Sequence, residues 1–314
     1  MNRLSIRICD LLLKSPVMNA SGVAGHSNEL EGTPHFKYDD LGAFVTKGVS
    51  LNPKEGNPQS RIAESSSGML NSIGLQNKGL DYFMEEQLPK LYNYNIPIIV
   101  NIAAGSIGEF DKLCEDMKKY DSFDVISAVE VNLSCPNVSE GGILLGTDPL
   151  TVECIIRDVR GILDYKLIIA KLTPNVNSIV EIAEAAIQGG VDALTMINTV
   201  RGCAVDINTK SHILGNIVGG LSGPAIKPMG LLAVYECFNK IPQCKSKKIP
   251  IIGVGGISSF EDALEYFMVG ASAVQIGTGF FGNPGIFNII NRELDNYLED
   301  KKLVLSDIIG IIGG

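Results

Sequence analysis

Eight short runs of apolar, mostly β-branched residues punctuate the chain: 17–21 (VMNAS), 43–48 (AFVTKG), 97–103 (PIIVNIA), 128–134 (AVEVNLS), 167–173 (LIIAKLT), 193–199 (ALTMINT), 249–256 (IPIIGVGG) and 273–279 (AVQIGTG). Most are apolar at successive rather than alternate positions, the pattern of parallel strands covered on both faces. Between them the spacing changes to that of helices. Phe110, Leu113, Cys114 and Met117 form one stripe, in which Cys114 reads as a small core residue. Val152, Ile155, Ile156 and Val159 form a second, opened by Asp148 as N-cap and Pro149 as first helical residue. Ile179, Ile182, Ala183, Ala186 and Ile187 make a third, closed by Gly189 and Gly190. Ser259 with Asp262 reads as a capping box ahead of Leu264, Phe267 and Met268.

This alternation over 314 residues predicts an α/β fold, a (β/α)8 TIM barrel with parallel strands, as a single domain spanning 1–314. An open, doubly wound sheet would alternate in the same way. The polar residues favour the barrel. Nearly every run ends in one: Asn19 with Ser21, Thr46 with Lys47, Asn101, Asn132 with Cys135, Lys171, Asn198 with Thr199, Gly255 with Gly256, and Gly277 with Thr278. In a barrel all these ends converge on one mouth, whereas in an open sheet only those at the switch point meet.

Composition narrows the function classes. Hydrophobic residues make up 45% and charged residues 19%, too apolar for a disordered chain. The 26 Lys and Arg against 35 Asp and Glu give a net charge of −9, which argues against nucleic acid or an anionic membrane as partner. A locally basic pocket stays compatible with that balance. Seven cysteines, at 9, 114, 135, 154, 203, 237 and 244, contain no CxxC pair. That spacing suits neither a zinc site nor an iron–sulfur cluster, and the odd count argues against a disulfide framework. Reduced thiols in a cytoplasmic protein without a metal site are expected. The N-terminus lacks a signal-peptide pattern, and the longest uncharged stretch, 266–291, is broken by five Gly and a Pro.

The strand ends carry the candidate chemistry. GVGGI and IGTGF end the seventh and eighth runs, where barrels usually cradle a phosphate, and 219–223 (GGLSG) offers a third glycine loop. Each motif alone fits a tight barrel turn equally well; together and in this order they favour a phosphate. Lys47 and Lys171 end two runs, and Lys171 lies inside an otherwise apolar one, where an ammonium needs an anionic partner. A fixed cation there would suit the N1/O2 edge of a reduced flavin. Asn71, Asn101, Asn132 and Asn198 each offer a donor and an acceptor, which suits a planar nitrogen-rich ring, although any one of them could be a turn residue. Cys135 follows the fourth run directly in NLSCPN and opens the glycine-rich stretch 138–148 (VSEGGILLGTD). A thiol on a mobile loop at the mouth could take a proton once a lid closes; a small buried hydrophobe is the plainer alternative. His26, His35 and His212 are scattered and give no Cys–His pair in sequence.

At these residues the chain resembles the class 1 dihydroorotate dehydrogenases, class 1B most of all. The matching segments are NASG (19–22), TKG (46–48), EGNPQSRIAE (55–64), SGMLNSIGLQN (67–77), NLSCPNV (132–138), GGxxxGTDP (141–149), KLTPNV (171–176), TMINT (195–199), GGLSGPAIKP (219–228), GVGGI (253–257) and GTG (277–279). LNSIGLQN and GTDP tilt the resemblance toward 1B. The resemblance implies an FMN enzyme that oxidises dihydroorotate to orotate in pyrimidine biosynthesis. It implies Cys135 as the base at substrate C5, with hydride leaving C6 for flavin N5. It implies Lys47, Asn71, Ser72, Ile73, Gly74, Leu75, Asn132, Asn198 and Thr199 as substrate contacts. For FMN it implies Ser21, Thr46, Lys47, Asn101, Asn132, Lys171 and Ile197 about the ring and ribityl chain. Gly223, Gly255, Gly256, Gly277 and Thr278 would then take the phosphate. Class 1B also implies a partner subunit carrying FAD and a [2Fe–2S] cluster that passes electrons to NAD+, in a heterotetramer built on a homodimer of this chain.

Three departures from the family pattern stand out: VAGHSNEL (23–30) after NASG, Leu145 where Phe is usual, and Lys78 where Pro is usual. The first two bear on lid packing and partner contact. The competing readings are a fumarate-dependent class 1A enzyme, a dihydropyrimidine dehydrogenase-like barrel, and a non-catalytic barrel that binds a phosphorylated ligand.

Overall fold

A computed structural model describes residues 3–134 and 145–312. Each of the eight apolar runs contains one strand of a single parallel sheet: β1 (Val17–Asn19), β2 (Phe44–Val45), β3 (Ile98–Ile102), β4 (Ala128–Asn132), β5 (Leu167–Lys171), β6 (Ala193–Met196), β7 (Ile251–Val254) and β8 (Ala273–Ile276). Their order is β1-β8-β7-β6-β5-β4-β3-β2, the sequential order of a (β/α)8 barrel rather than of a doubly wound sheet.

The seam between β1 and β2 closes differently. Gly42 N donates to Val17 O at 2.8 Å. One residue pair further on, the side chain of Asn19 substitutes for a backbone strand. Its Nδ2 donates to Val45 O at 2.6 Å and its Oδ1 accepts from Val45 N at 3.0 Å. Asn19 therefore lies fully buried in the seam rather than on the mouth wall where its place at a strand end suggested.

Six helices follow the last six strands: α1 (Ile107–Met117), α2 (Pro149–Ile162), α3 (Ile179–Gly189), α4 (Lys227–Lys240), α5 (Phe260–Val269) and α6 (Ile286–Lys301). The expected punctuation is present. Asp148 caps α2 by accepting from Thr151 N at 2.9 Å, Ser259 and Asp262 form the capping box of α5, and Gly190 ends α3 in the left-handed conformation. After β1 and β2 the chain makes only short helical turns, Tyr38–Asp40 and then Leu80–Tyr82 through Leu88–Asn93.

The strand pleat divides the barrel interior into layers. The lowest is apolar: Met18, Val45, Ile99, Ile169 and Ile252 pack with Ile8 and Leu13 of an N-terminal hairpin (Ile6–Ile8 with Leu11–Leu13) that plugs this end. The next layer is polar and buried, and consists of Asn101, Glu130, Lys171, Thr195 and Gln275. Above the mouth stands a four-stranded antiparallel sheet in the order Val200–Gly202, Gly219–Ser222, Gly68–Asn71, Ile62–Ser65. The pattern of eight runs contains neither this sheet nor the hairpin.

Asn19→Leu removes both side-chain bonds and strands a buried N–H and C=O. It should cost about 3 kcal/mol of stability, since each buried orphan costs roughly 1–3 kcal/mol. Urea denaturation of the two proteins measures it, and a loss below about 1 kcal/mol would mean that the seam re-pairs through backbone alone.

Candidate active site

The ends of seven strands, β1, β2 and β4 to β8, enclose with a crossover loop and the mouth sheet a cavity of about 960 Å³. Of the polar layer, Lys171 forms the cavity floor. Lys171, at the end of β5, is 4% exposed and reaches into the cavity. Its Nζ lies 3.5 Å from Glu130 Oε1 and donates to Gln275 Oε1 at 3.3 Å. Asn132 ends β4 beside it. Asn132 Oδ1 accepts from Ser134 N at 3.1 Å and from Asn198 Nδ2 at 3.2 Å, while Asn198 Oδ1 accepts from Thr199 N at 2.8 Å. A chain of amides thus runs along one wall with its polar groups held in fixed directions.

The other proposed residues fall into three groups. Lys47 and Ser21 line the cavity from the ends of β2 and β1, and Ile197 from β6. Asn71, Ser72, Ile73, Gly74 and Leu75 line it from the mouth sheet and the loop after it, and Asn71 Nδ2 donates to Gly220 O at 3.3 Å across that sheet. Gly223, Gly255, Gly256, Gly277 and Thr278 gather at the opposite end, where Thr278 Oγ1 donates to Ser222 Oγ at 2.7 Å and so ties two of the loops together. Thr46 and Asn101 do not line the cavity. Both are fully buried one layer beneath it, with Asn101 N donating to Thr46 Oγ1 at 3.0 Å. Cys135 lies outside the described residues. Ser134, just before it, is at the end of β4 and lines the cavity.

Three observations test whether a flat phosphorylated cofactor suits this space. A Cβ built at Gly277 would meet only Ala20 Cβ, at 3.7 Å, so this position leaves the cavity floor open for a ligand. Gly255, Gly256 and Gly223 have φ of +125°, +70° and +94°, backbone turns that side chains disfavour. Asn101 Oδ1 is buried without a hydrogen-bond partner among the described residues, a lone acceptor beneath the cavity. A ring with N–H and C=O edges and a terminal phosphate matches both ends.

Sequence reasoning missed Glu130, which meets Asn101 and Lys171, Gln275, which meets Lys171 and Glu130, and Thr195, which donates to Glu130. The charge of Glu130 within AVEVN was the available signal. It also missed Asn175, whose side chain ties Thr173 to the Thr199 carbonyl at 3.1 Å and accepts from Arg201 N at 2.9 Å. Of the departures, Leu145 is buried and Lys78 places its ammonium 4.2 Å from the centre of the Tyr82 ring, outside the cavity lining.

The VAGHSNEL segment packs against Lys47. Gly25 O accepts from Lys47 N at 2.7 Å, and Glu29 accepts from His26 N at 2.9 Å and Ser27 N at 2.6 Å. Burial pushes the Lys47 ammonium below its ordinary pKa; the charge of Glu29 opposes this and that of Arg61 adds to it. Burial also lowers His26, with the Lys47 charge second, so the ring is held neutral.

With the barrel and cavity established, comparison with known proteins defines the class. The dihydroorotate dehydrogenase family model matches residues 3–298, and the chain belongs to that family. Among its relatives is a dihydroorotate dehydrogenase B (NAD(+)), catalytic subunit, of Carboxydothermus hydrogenoformans, 47% identical over 96% of this chain and 94% of that protein. Proteins of the same description from Geotalea uraniireducens and Geobacter sulfurreducens are 42% and 43% identical, each over 99% of this chain and 97% of their own length.

The lowered His26 pKa has a consequence for stability. The unfolded chain binds a proton near the ordinary value of 6.5, whereas the folded chain does so only at lower pH. The stability conferred by the neutral ring is therefore complete above that value and lost as pH falls toward the folded one, with a slope of at most about 1.4 kcal/mol per pH unit. Relative to wild type, His26→Gln should flatten the fall in stability below this pH in urea denaturation. Parallel curves for the two proteins would mean that the imidazole titrates freely in the fold.

Proposed function

We propose that this chain is the catalytic subunit of a two-subunit dihydroorotate dehydrogenase. It oxidises (S)-dihydroorotate to orotate in de novo pyrimidine biosynthesis and passes the electrons through a partner subunit to NAD+. The observation that carries the reading is one cavity, at the barrel mouth of a family member, that joins a buried lysine, a wall of amides and a glycine cradle. The common description of its relatives as B (NAD(+)) catalytic subunits supports the NAD+ route over fumarate.

The whole chain, 1–314, acts as one FMN-binding barrel. Ser21, Lys171 and Ile197 border the isoalloxazine, with Thr46 and Asn101 beneath it. Gly223, Gly255, Gly256, Gly277 and Thr278 take the phosphate. FMN, when bound, supplies the two-electron acceptor for the hydride that leaves substrate C6. Lys47, a half-buried cation facing the cavity, attracts the substrate carboxylate, and desolvation strengthens that attraction. Asn71, Asn132, Asn198 and Thr199, with Ser72, Ile73, Gly74 and Leu75, orient the pyrimidine ring by pairing its amide edges. Cys135 takes the C5 proton as a thiolate, and with the hydride lost from C6 the C5–C6 double bond forms. The mouth sheet excludes water from above.

The partner subunit carries FAD and a [2Fe–2S] cluster, for which this chain has no matching cysteine spacing. Two copies of each subunit assemble as a heterotetramer around a homodimer of this chain. We place the chain in the cytoplasm; among the described residues no helix is long and apolar enough to cross a membrane.

Purified chain should be yellow, and anaerobic dihydroorotate should bleach it. Colourless protein, or flavin bleached by dihydrouracil and not by dihydroorotate, would overturn the reading. Cys135→Ala should keep its FMN and slow that reduction by about 10²- to 10⁴-fold, the usual contribution of a general base. Wild-type reduction should speed up as pH rises toward a thiol pKa of about 8.5. Undiminished reduction in Cys135→Ala would exclude the base role.

A further inference from the structure

Glu130 is the most connected side chain of the barrel interior, and no role yet described uses it. It is fully buried, and four other strands turn side chains onto its carboxylate. Oε1 accepts from Asn101 Nδ2 at 2.7 Å and faces Lys171 Nζ at 3.5 Å. Oε2 accepts from Gln275 Nε2 at 2.8 Å and from Thr195 Oγ1 at 3.0 Å.

An ionised carboxylate only accepts, so every amide that meets it must turn its NH2 inward. This fixes the direction of both neighbouring amides. Gln275 presents its oxygen to Lys171, on which Nζ donates at 3.3 Å. Asn101 is left with Oδ1 as a buried acceptor that no protein donor meets among the described residues. The cavity floor thus offers one ammonium, and a single carboxylate both offsets its charge and sets the direction of the amide buried beneath it. The same carboxylate offsets the charge of Lys171, at 3.5 Å, too long for a close ion pair.

We propose that Glu130 is a positioning residue for the flavin. By offsetting the charge of Lys171 and turning the Gln275 oxygen onto it, it moderates how strongly the floor favours the reduced ring. This rests on FMN being the bound group. Glu130 touches neither cofactor nor substrate and acts through Lys171, Gln275 and Asn101.

Replacing the carboxylate by an amide removes one buried negative charge and lets both neighbouring amides reverse. Glu130→Gln should therefore raise the flavin midpoint potential. Reduced FMN should gain about tenfold over oxidised FMN in relative affinity, the size expected of one buried charge acting across a barrel interior, or about 30 mV for a two-electron couple. Glu130→Asp keeps the charge but withdraws it by one methylene, and should shift the potential in the same direction by about threefold. It also serves if the glutamine variant does not fold. Dye-equilibration titration of the FMN-loaded proteins reads the potential, and titration of the apoproteins with FMN reads the affinity. Wild-type protein that binds no FMN defeats the flavin reading itself. Wild-type protein that binds FMN, beside variants whose potential and affinity stay within twofold, defeats the role of Glu130 alone. A rise in both variants, larger in glutamine, supports it.

Discussion

Enclosing a charge pair inside a barrel is the constraint from which the site follows. Glu130 and Lys171 sit on neighbouring strands at 0% and 4% exposure, where desolvation costs several kcal/mol per ion unless the remaining hydrogen-bonding capacity is met. Here it is met by side chains from β3, β6 and β8, so the pair is satisfied only if the barrel is correctly closed and in register. A one-residue slip of any of these strands would turn its contributor out toward the helices. The polar layer therefore links the register of the sheet to the direction in which Lys171 faces the cavity.

The apolar layer beneath explains why such a polar layer is tolerated. The hairpin Ile6–Ile8 with Leu11–Leu13 covers the far end of the barrel with Ile8 and Leu13, which pack into the apolar layer. At the mouth the four-stranded sheet takes over that task. Its two halves come from the connections after β2 and β6, and its middle pairing sets Gly220 opposite Asn71, 149 positions apart in sequence. Gly220 has to be glycine for a local reason: a Cβ there would lie 2.1 Å from Thr199 Oγ1. The close approach lets Asn71 from above and Thr199 from the barrel share one wall.

Much of this was legible in the sequence for a physical reason. Parallel strands covered on both faces must be apolar throughout, and a polar residue at their C-terminal end has only the mouth to occupy. Lys171, Asn132, Asn198 and the glycine turns at 255 and 277 were readable on that logic, and the cavity contains them. Asn19 obeyed the same pattern and belongs elsewhere, because its role as a surrogate strand depends on Val45, 26 residues away, being left with an unpaired backbone. Thr46 and Asn101 also ended their runs, but the pleat turns them beneath the floor. The mouth sheet was not readable: segments such as Gly68–Asn71 and Gly219–Ser222 have weak strand propensity and form strands only because the long-range pairing exists.

Glu130 marks the limit of local reasoning most sharply. One glutamate in an apolar strand advertises that something is unusual, but its meaning resides in four partners on four other strands. Lys171 could be read alone as a cation at a mouth; as observed it is a cation already partly answered, with a neighbouring acceptor left open by the same carboxylate. A flavin site must bind the oxidised ring firmly without trapping the reduced one, because the electrons have to leave for the next carrier. An uncompensated buried lysine would favour the reduced ring, whereas a tight ion pair would cancel its field. The intermediate separation in this barrel suits an enzyme whose product electrons must move on, and it ties that balance to the strand register that holds the fold together.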